Sequence, residues 1–208
     1  MHQINRMRIQ LFALTTLCIA PLALNCQSNA RQGADVPLSV EVAARASVPL
    51  SRLIDSLHIK PEKLWLWVDK SERIFRVMND STEIKRYVCV LGEHPVGDKR
   101  MQGDRRTPEG TFTFRSKRRP HQWHVFIWID YPNAESQRRF EERKKNGELP
   151  ANADIGGEVG IHGVPEGKDH WIDQGADWTW GCIALKNADV DEIYPIITPW
   201  KTKLVIVP

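Results

Sequence analysis

Two residues of this 208-residue chain have the types and the spacing that nucleophilic catalysis needs. Cys182 lies in the segment DWTWGCIALKN, directly after a glycine, and His162 lies 20 residues earlier in VGIHGVPEG. A thiol becomes an effective nucleophile when a base accepts its proton and N–H donors stabilise the developing oxyanion. Cysteines in apolar runs are more often buried and inert, and lone histidines are more often structural. Together, on one domain, the two residues favour a catalytic thiol.

The segments around these residues indicate how the fold brings them together. His162 ends a short apolar run, and the 20 residues that follow are rich in Gly, Asp, Trp and Pro, which is typical of a loop. Such a loop can bring the ends of two adjacent strands together, with His162 at the end of one strand and Cys182 at the end of the other. Gly181 leaves room for a substrate carbonyl, and we expect the N–H groups of Gly181 and Cys182 to donate to its oxygen.

The rest of the chain reads as a mainly β domain with one or two short helices. A helix over 133–146 has Asn133 as its expected N-cap, and a second runs from Asn187 to Tyr194 before Pro195. One more short helix is predicted around 50–57. Apolar or alternating runs predict strands at 64–68, 74–78, 83–92, 111–115, 124–129 and 203–207, the first three as a meander.

The N-terminal residues predict export. Arg6 and Arg8 precede the apolar stretch IQLFALTTLCIAPLAL, and SNA at 28–30 offers a cleavage site, so residues 1–30 are interpreted as a signal peptide. Residues 31–62 then form a linker and residues 63–208 the catalytic domain. This predicts an exported protein of the periplasm or cell envelope. Lipidation of Cys26 is an alternative anchor.

Composition argues against several other functions. The formal net charge of +3 gives no reason to expect a nucleic-acid partner, and no phosphate-binding glycine loop suggests a nucleotide. Only His121 and His124 are spaced like zinc ligands, and they have no companion pair, so no metal or other cofactor is predicted. We expect a monomer. The basic run over 99–119 is either a solvated face or a contact for carboxylates.

A second cysteine of the predicted mature domain leaves one further alternative open. Cys89 lies in the apolar run YVCVLG and reads as a core residue. Exported chains meet an oxidising compartment, so a Cys89–Cys182 disulfide is an alternative that would exclude a nucleophilic Cys182.

The segments IHG, WTWGCIALKN, GDRRTPEGTF and DYPNA, taken together, resemble the L,D-transpeptidase catalytic domain family of the YkuD type over about residues 63–208. The resemblance implies a β-sandwich of about eight strands that attacks peptidoglycan stem peptides. It implies that Cys182 is the nucleophile, His162 the general base, and Gly181 with Cys182 the oxyanion donors. Gly163, whose carbonyl would fix the His162 ring, Thr179 and Trp180 take substrate-binding positions.

The implied reaction is acyl transfer from a stem tetrapeptide. Cys182 would attack the carbonyl of the diamino acid, expel the terminal D-alanine and form a thioester that an amine or water resolves. The WTxGCIA pattern resembles a subgroup that contains hydrolases, so an L,D-carboxypeptidase or an amidase releasing a peptidoglycan-linked lipoprotein is an alternative. An inactive peptidoglycan-binding module with Trp180 in the cleft is a second alternative.

Two positions depart from the family pattern, and three others have open roles. Trp180 stands where a second histidine is usual, and Ala184 where many members carry an arginine suited to a substrate carboxylate. Asp177 or Asp173 could orient His162 in a triad, or be solvated. Trp178 and Trp180 could form the floor of the substrate cleft, or they could only pack against the loop.

Overall fold

A computed structural model of the chain describes residues 45–208, except the side chains of residues 120 and 121. The predicted signal peptide, Cys26 and most of the predicted linker lie outside these residues. Within the described part, no helix combines the length and the apolar character needed to cross a membrane.

The described residues form nine strands. The strands of the first sheet have the spatial order β3-β2-β1-β9-β4, and those of the second have the order β5-β6-β7-β8. The strands are β1 (Leu64–Asp69), β2 (Ile74–Asn79), β3 (Thr82–Val88), β4 (Gly110–Phe112), β5 (Phe114–His121), β6 (His124–Ile129), β7 (Gly160–His162), β8 (Ile183–Ala184) and β9 (Leu204–Val207).

The first sheet confirms the predicted meander. β1 pairs antiparallel with β2, and β2 with β3, while β9 lies parallel to β1 and antiparallel to β4. Side chains of β1 alternate between buried and partly exposed because successive residues of a strand point to opposite faces. The predicted strand at 111–115 is two strands, β4 and β5, one in each sheet.

The second sheet positions the candidate catalytic residues. β6 is an inner strand, as its apolar sequence predicts, and pairs antiparallel with both β5 and β7. β7 and β8 are parallel neighbours, with Ile161 opposite Ile183 and His162 opposite Ala184. A parallel pair needs a crossover segment between its strands, and residues 163–182 provide it.

Four α-helices and a 3-10 turn, Pro61–Lys63, accompany the strands in the described residues. The helices are α1 (Leu50–Ser56), α2 (Ala134–Lys145), α3 (His170–Asp173) and α4 (Asn187–Ile193). The Asn133 side chain accepts a hydrogen bond from the Ser136 N–H, which confirms the predicted N-cap. α4 begins at Asn187, as predicted; its N-cap residue is Lys186, and the Asn187 side chain accepts a hydrogen bond from the Val164 N–H. The one-turn α3 lies inside the segment predicted as loop.

Side chains from both sheets meet in one apolar core, as in a β-sandwich. The largest fully buried ones include Phe75, Phe112, Phe114, Ile127 and Ile161. A second, smaller cluster contains Val90, Val164, Ile172 and Ala184, against which Trp171 and Trp178 pack. The β7–β8 pair therefore has the main core on one face and the second cluster on the other.

Candidate active site

Cys182 lies directly before β8 and lines a cavity of about 520 Å³. The other lining residues are Lys99, Gln102, Gly103, Arg105, Gly156, Gly157, Glu158, Val159 and Trp180. A cavity of this volume lies within the usual range of ligand-binding clefts. Of the predicted site residues, Cys182 and Trp180 are among the described residues that line it; His162, Gly163, Thr179 and Gly181 are not.

The Cys182 thiol is half-buried, and its surroundings favour the protonated form. Its Sγ donates to the Glu158 carbonyl oxygen over 3.7 Å. Desolvation raises the pKa of Cys182 to about 11, although a hydrogen bond from the Gly160 N–H and the positive charge of Lys99 act to lower it. Cys89 is fully buried, and both cysteines are free thiols in the structure, so no Cys89–Cys182 disulfide is present.

His162 is the last residue of β7 and is almost completely buried. Its Nδ1 lies 2.6 Å from the Gly163 carbonyl oxygen. A carbonyl can only accept, so this contact requires the proton on Nδ1 and makes Nε2 the basic nitrogen of the neutral ring. The ring is stacked on Phe126 at 5.5 Å between centroids and meets Trp178 edge-on at 5.7 Å. Ring orientation and tautomer are thus both fixed by the fold.

The register of β7 and β8 places His162 and Cys182 on the same face. Ile161 and Ile183 are opposite each other and both face the main core. Because side chains alternate along a strand, His162 projects from the other face, and the same alternation, extended one residue before β8, assigns Cys182 to that face as well. They are one strand and two residues apart, a Cα separation of roughly 8 Å. An imidazole and a thiol can approach each other across that separation.

The backbone conformation at position 181 requires a glycine. Its φ is +128°, and a Cβ at this position would lie 2.7 Å from the Arg106 carbonyl oxygen. Its N–H donates to the Thr179 hydroxyl at 3.1 Å. The prediction that Gly181 supplies an oxyanion donor therefore does not fit this conformation, because that N–H already has an acceptor within the chain. The Cys182 N–H is the remaining predicted donor.

Thr179 supports the turn before Cys182. Its hydroxyl donates to the Cys182 carbonyl oxygen at 2.7 Å while accepting from Gly181, and the residue is buried. Thr179 is not among the residues that line the cavity, and its predicted contact with a substrate stays a prediction. Gly163 likewise contacts the His162 ring, through its carbonyl oxygen.

Both candidate aspartates pair with basic side chains. Asp177 accepts two hydrogen bonds from the Arg73 guanidinium, at 2.7 and 3.1 Å, and one from the Leu91 N–H at 2.8 Å. Asp173 pairs with Lys186. Their described contacts therefore go to these cations, while the described acceptor for His162 Nδ1 is the Gly163 carbonyl. Asp177 instead fastens the start of the 177–182 segment to the turn between β1 and β2.

The tryptophans of this segment have different surroundings. Trp180 is 77% exposed at the cavity, and the Arg105 guanidinium lies over its ring at 5.5 Å. Trp178 packs on His162 and lines a separate pocket of about 310 Å³ with Trp171, Gln174 and Ala176. Trp178 therefore supports the histidine, whereas Trp180 is positioned to contact a ligand.

Charged residues at the cavity were not identified individually from the sequence. Lys99 is 5% exposed and donates to Asp104 Oδ1 at 2.8 Å, although it belongs to a basic run that suggests a solvated face. Glu158 pairs with Arg115 and accepts from the Trp128 indole N–H. The only sequence signal for the Lys99–Asp104 pair is the short segment KRMQGD, which is typical of any polar loop.

The part of the chain that the structure describes contains no group of three or more His, Cys, Asp or Glu residues arranged to hold a metal ion. His124 Nε2 instead contacts Asp191 at 2.8 Å. Ala184 is fully buried among Val90, Val164 and Ile172, so an arginine there would lie among aliphatic side chains.

Comparisons with solved structures gave low overall similarity. Bd1075 from Bdellovibrio bacteriovorus is 19% identical with a TM-score of 0.48, over 70% of this chain and 48% of the other. Pgp2 from Campylobacter jejuni, a helical cell shape determining protein, is 20% identical with a TM-score of 0.48, over 76% and 54%. An L,D-transpeptidase from Mycobacterium smegmatis is 13% identical with a TM-score of 0.45, over 70% and 59%. The match spans about half the length of these proteins.

The sequence comparisons are more specific. No curated protein matches the chain. The family model described as the L,D-transpeptidase catalytic domain, YkuD, matches residues 63–207, which include every strand of both sheets and all the predicted site residues. This match covers well over half of the sequence, and the chain therefore belongs to the L,D-transpeptidase catalytic domain family.

Proposed function

We propose that the chain is an acyl-transfer enzyme of the cell envelope that acts on peptidoglycan stem tetrapeptides through a thioester on Cys182. The observation that carries this proposal is the arrangement of the β7–β8 pair. His162, whose proton is held on Nδ1 by Gly163, shares a face with a thiol that opens into a cavity. Membership of the family supports peptidoglycan as the substrate.

The first half-reaction forms the thioester. His162 Nε2 accepts the Cys182 proton as the sulfur attacks the carbonyl carbon of the diamino acid. A tetrahedral intermediate forms, and its oxyanion accepts a hydrogen bond from the Cys182 N–H. The bond to the terminal D-alanine then breaks, and the imidazolium returns the proton to the departing amine. In the second half-reaction, an amine or water attacks the thioester and releases the thiol.

The raised pKa of Cys182 favours a general-base mechanism. With a pKa of about 11, the thiol is protonated at neutral pH in the free enzyme. A preformed thiolate–imidazolium pair is therefore disfavoured, and the proton is transferred as the substrate is attacked. The Gly163 contact supports this role because, in the neutral ring, it holds the proton on Nδ1 and leaves Nε2 as the nitrogen that can accept one.

The position of Trp180 supports a ligand contact at the cavity rather than a blocked cleft. Its exposed ring lies beside a cavity that retains about 520 Å³. Tryptophan offers a large apolar face to a substrate, and Arg105 lies against that ring. The proposed location in the envelope rests on the predicted signal peptide and on the substrate class.

The test uses the purified full-length chain with a muropeptide tetrapeptide, followed by mass spectrometry. Cys182→Ala is expected to abolish every change in the substrate. Cys89→Ala is the matched control, because it removes the other mature thiol away from the cavity, and it should retain activity. A Cys182→Ala variant as active as the parent would contradict the proposal.

The same assay distinguishes the acceptors. With an added amine such as a D-amino acid, a transpeptidase gives an exchanged or cross-linked product, whereas a hydrolase gives the tripeptide in both conditions. A parent protein that binds the tetrapeptide but leaves it unchanged would replace the proposal with a peptidoglycan-binding module.

A further inference from the structure

The cavity that contains Cys182 has a buried positive charge. Lys99 lines this cavity and is 5% exposed. A Cβ built at Gly181, the residue before Cys182, would lie 4.0 Å from Lys99 Nζ. The ammonium group is therefore next to the backbone that carries the thiol.

The hydrogen bonds of Lys99 leave one proton of its ammonium for a ligand. Nζ donates to Asp104 Oδ1 at 2.8 Å and to the Met101 carbonyl at 3.2 Å, and a lysine ammonium has three N–H donors. Lys70 provides a comparison, since it is also buried and paired with a carboxylate. Its Nζ donates to Gly97 O, Thr107 O and Glu109 Oε1, which uses all three protons. Among the described residues, Lys99 has two such acceptors.

The Asp104 carboxylate holds Lys99 in place without using all of its charge. Asp104 also accepts hydrogen bonds from the backbone N–H groups of Arg100, Met101 and Arg106. Desolvation raises the pKa of Asp104, but these bonds and the one from Lys99 bring it below its ordinary value. The negative charge is thus shared between Lys99 and the backbone of residues 100–106, and the Lys99 ammonium is held in place by Asp104 and by the Met101 carbonyl.

The other charges at the cavity are engaged elsewhere. Arg105 pairs with Glu93 and stacks on Trp180, and its side chain is 42% exposed. Glu158 pairs with Arg115, and its side chain is 75% exposed. Solvent screens both of these charges more strongly than that of Lys99.

We infer that Lys99 is a specificity-determining residue whose ammonium binds a carboxylate of the ligand next to Cys182. This deepens the proposed function, on which it rests, by naming the group that recognises an anionic substrate. A buried charge with one unused donor gains more from an anionic partner than an exposed lysine would.

The test compares alkylation of Cys182 by iodoacetate and by iodoacetamide in the full-length chain, with labelling at Cys182 read by peptide mass spectrometry. The ratio of the two rates is normalised to the ratio in the urea-unfolded chain. We expect the normalised ratio of the iodoacetate rate to the iodoacetamide rate to be at least about 5, because the ammonium attracts the anionic reagent. The normalised ratio should fall close to 1 in the double variant Lys99→Met/Asp104→Asn, which removes both charges of the pair at once.

Lys70→Met/Glu109→Gln is the matched control. It removes another buried lysine–carboxylate pair that does not line the cavity, and it should leave the ratio unchanged. An unchanged ratio in the Lys99→Met/Asp104→Asn variant, or an equal loss with both reagents, overturns the inference, since a purely structural lysine would affect both reagents alike.

A second measurement needs no variant at Lys99. N-acetylglycine, at millimolar concentration, should protect Cys182 of the parent chain from iodoacetamide, and N-acetylglycinamide should not. Equal protection by both, or by neither, contradicts the inference. Alkylation needs only the thiol and the nearby charge, so these results are independent of whether Cys182→Ala abolishes acyl transfer.

Discussion

Cys89 and Cys182 have the same side chain, but their thiol groups lie in two regions of the molecule with different surroundings. Cys89 follows β3, is fully buried in the main core, and has a pKa raised far above the ordinary range by desolvation. Cys182 is also desolvated, but it lines a cavity together with the buried Lys99, and it directly precedes the strand that neighbours the one ending at His162. The comparison contrasts a thiol enclosed in the core with one that lines a cavity, and access to the sulfur is a condition for any reactive cysteine.

The largest expected difference between the two regions is the rate of alkylation. In the native chain, Cys182 should react with iodoacetamide at least about 1000-fold faster than Cys89, because Cys89 becomes accessible only when the core opens. The Cys182 rate should rise about tenfold per pH unit from pH 7 to 10, since the thiolate fraction grows until the pH reaches a pKa of about 11. Peptide mass spectrometry after timed quenching measures both.

Two results would contradict this expectation. Comparable rates at Cys89 and Cys182 would mean that the cavity gives no access to the sulfur. A Cys182 rate that is independent of pH above 7 would indicate a preformed thiolate, and the general-base mechanism would be wrong.

A large effect is also expected from Gly181→Ala. The φ of +128° disfavours a side chain, and the new Cβ would meet the Arg106 carbonyl oxygen at 2.7 Å. The segment before Cys182 must therefore shift, and we expect at least about a 100-fold loss of activity, since a shift of about 1 Å is enough for that. The tetrapeptide assay measures it.

Gly175→Ala is the control for this change. Gly175 lies in the same β7–β8 crossover with a φ of +64°, but nothing lies within 4 Å of its Cβ position. It should lower the free energy of unfolding by about 1 kcal/mol with little loss of activity. Equal effects of the two substitutions would show that backbone strain, and not the contact at Arg106, explains the requirement for Gly181.

A smaller effect is expected from Asp177→Asn, which weakens the link between the two regions. The Cys89 N–H donates to the Arg73 carbonyl, while the Arg73 guanidinium binds Asp177 at the start of the Cys182 segment. The Asp177 side chain is 7% exposed, so loss of its charge should lower the free energy of unfolding by about 2 kcal/mol and activity by about tenfold. Urea unfolding and the tetrapeptide assay measure these changes.

Asp173→Asn is the matched control, because its carboxylate lies in the same crossover and also has a cationic partner. That side chain is 61% exposed, and exposed ion pairs contribute little, so we expect a change below about 0.5 kcal/mol. If the two variants behaved alike, the Asp177–Arg73 pair would have no special role.

The sequence predicted the elements better than the contacts between them. Apolar runs predicted the meander, the inner strand β6 and β9, and Asn133 predicted the start of α2, because these signals are local. The division at Thr113 was missed, since Thr113 binds the Asp130 side chain, which lies 17 residues away.

Roles at the site depended more strongly on distant partners. The proximity of the His162 and Cys182 strands was predicted from the loop between them. That Asp177 would bind Arg73, 104 residues earlier, has no local signal. The burial of Lys99 likewise depends on how residues 99–106 fold around Asp104, so a basic run alone could not indicate it.

The position of β9 has a consequence for the order of folding. Residues 204–207 are the last of the described strands to be translated, yet they lie between β1 and β4 inside the first sheet. A nascent chain lacking them would expose the unpaired edges of both neighbours, so the sheet cannot close during synthesis. Completion of the domain therefore follows translation of residue 207, so the two halves of the first sheet are joined only by the last residues of the domain.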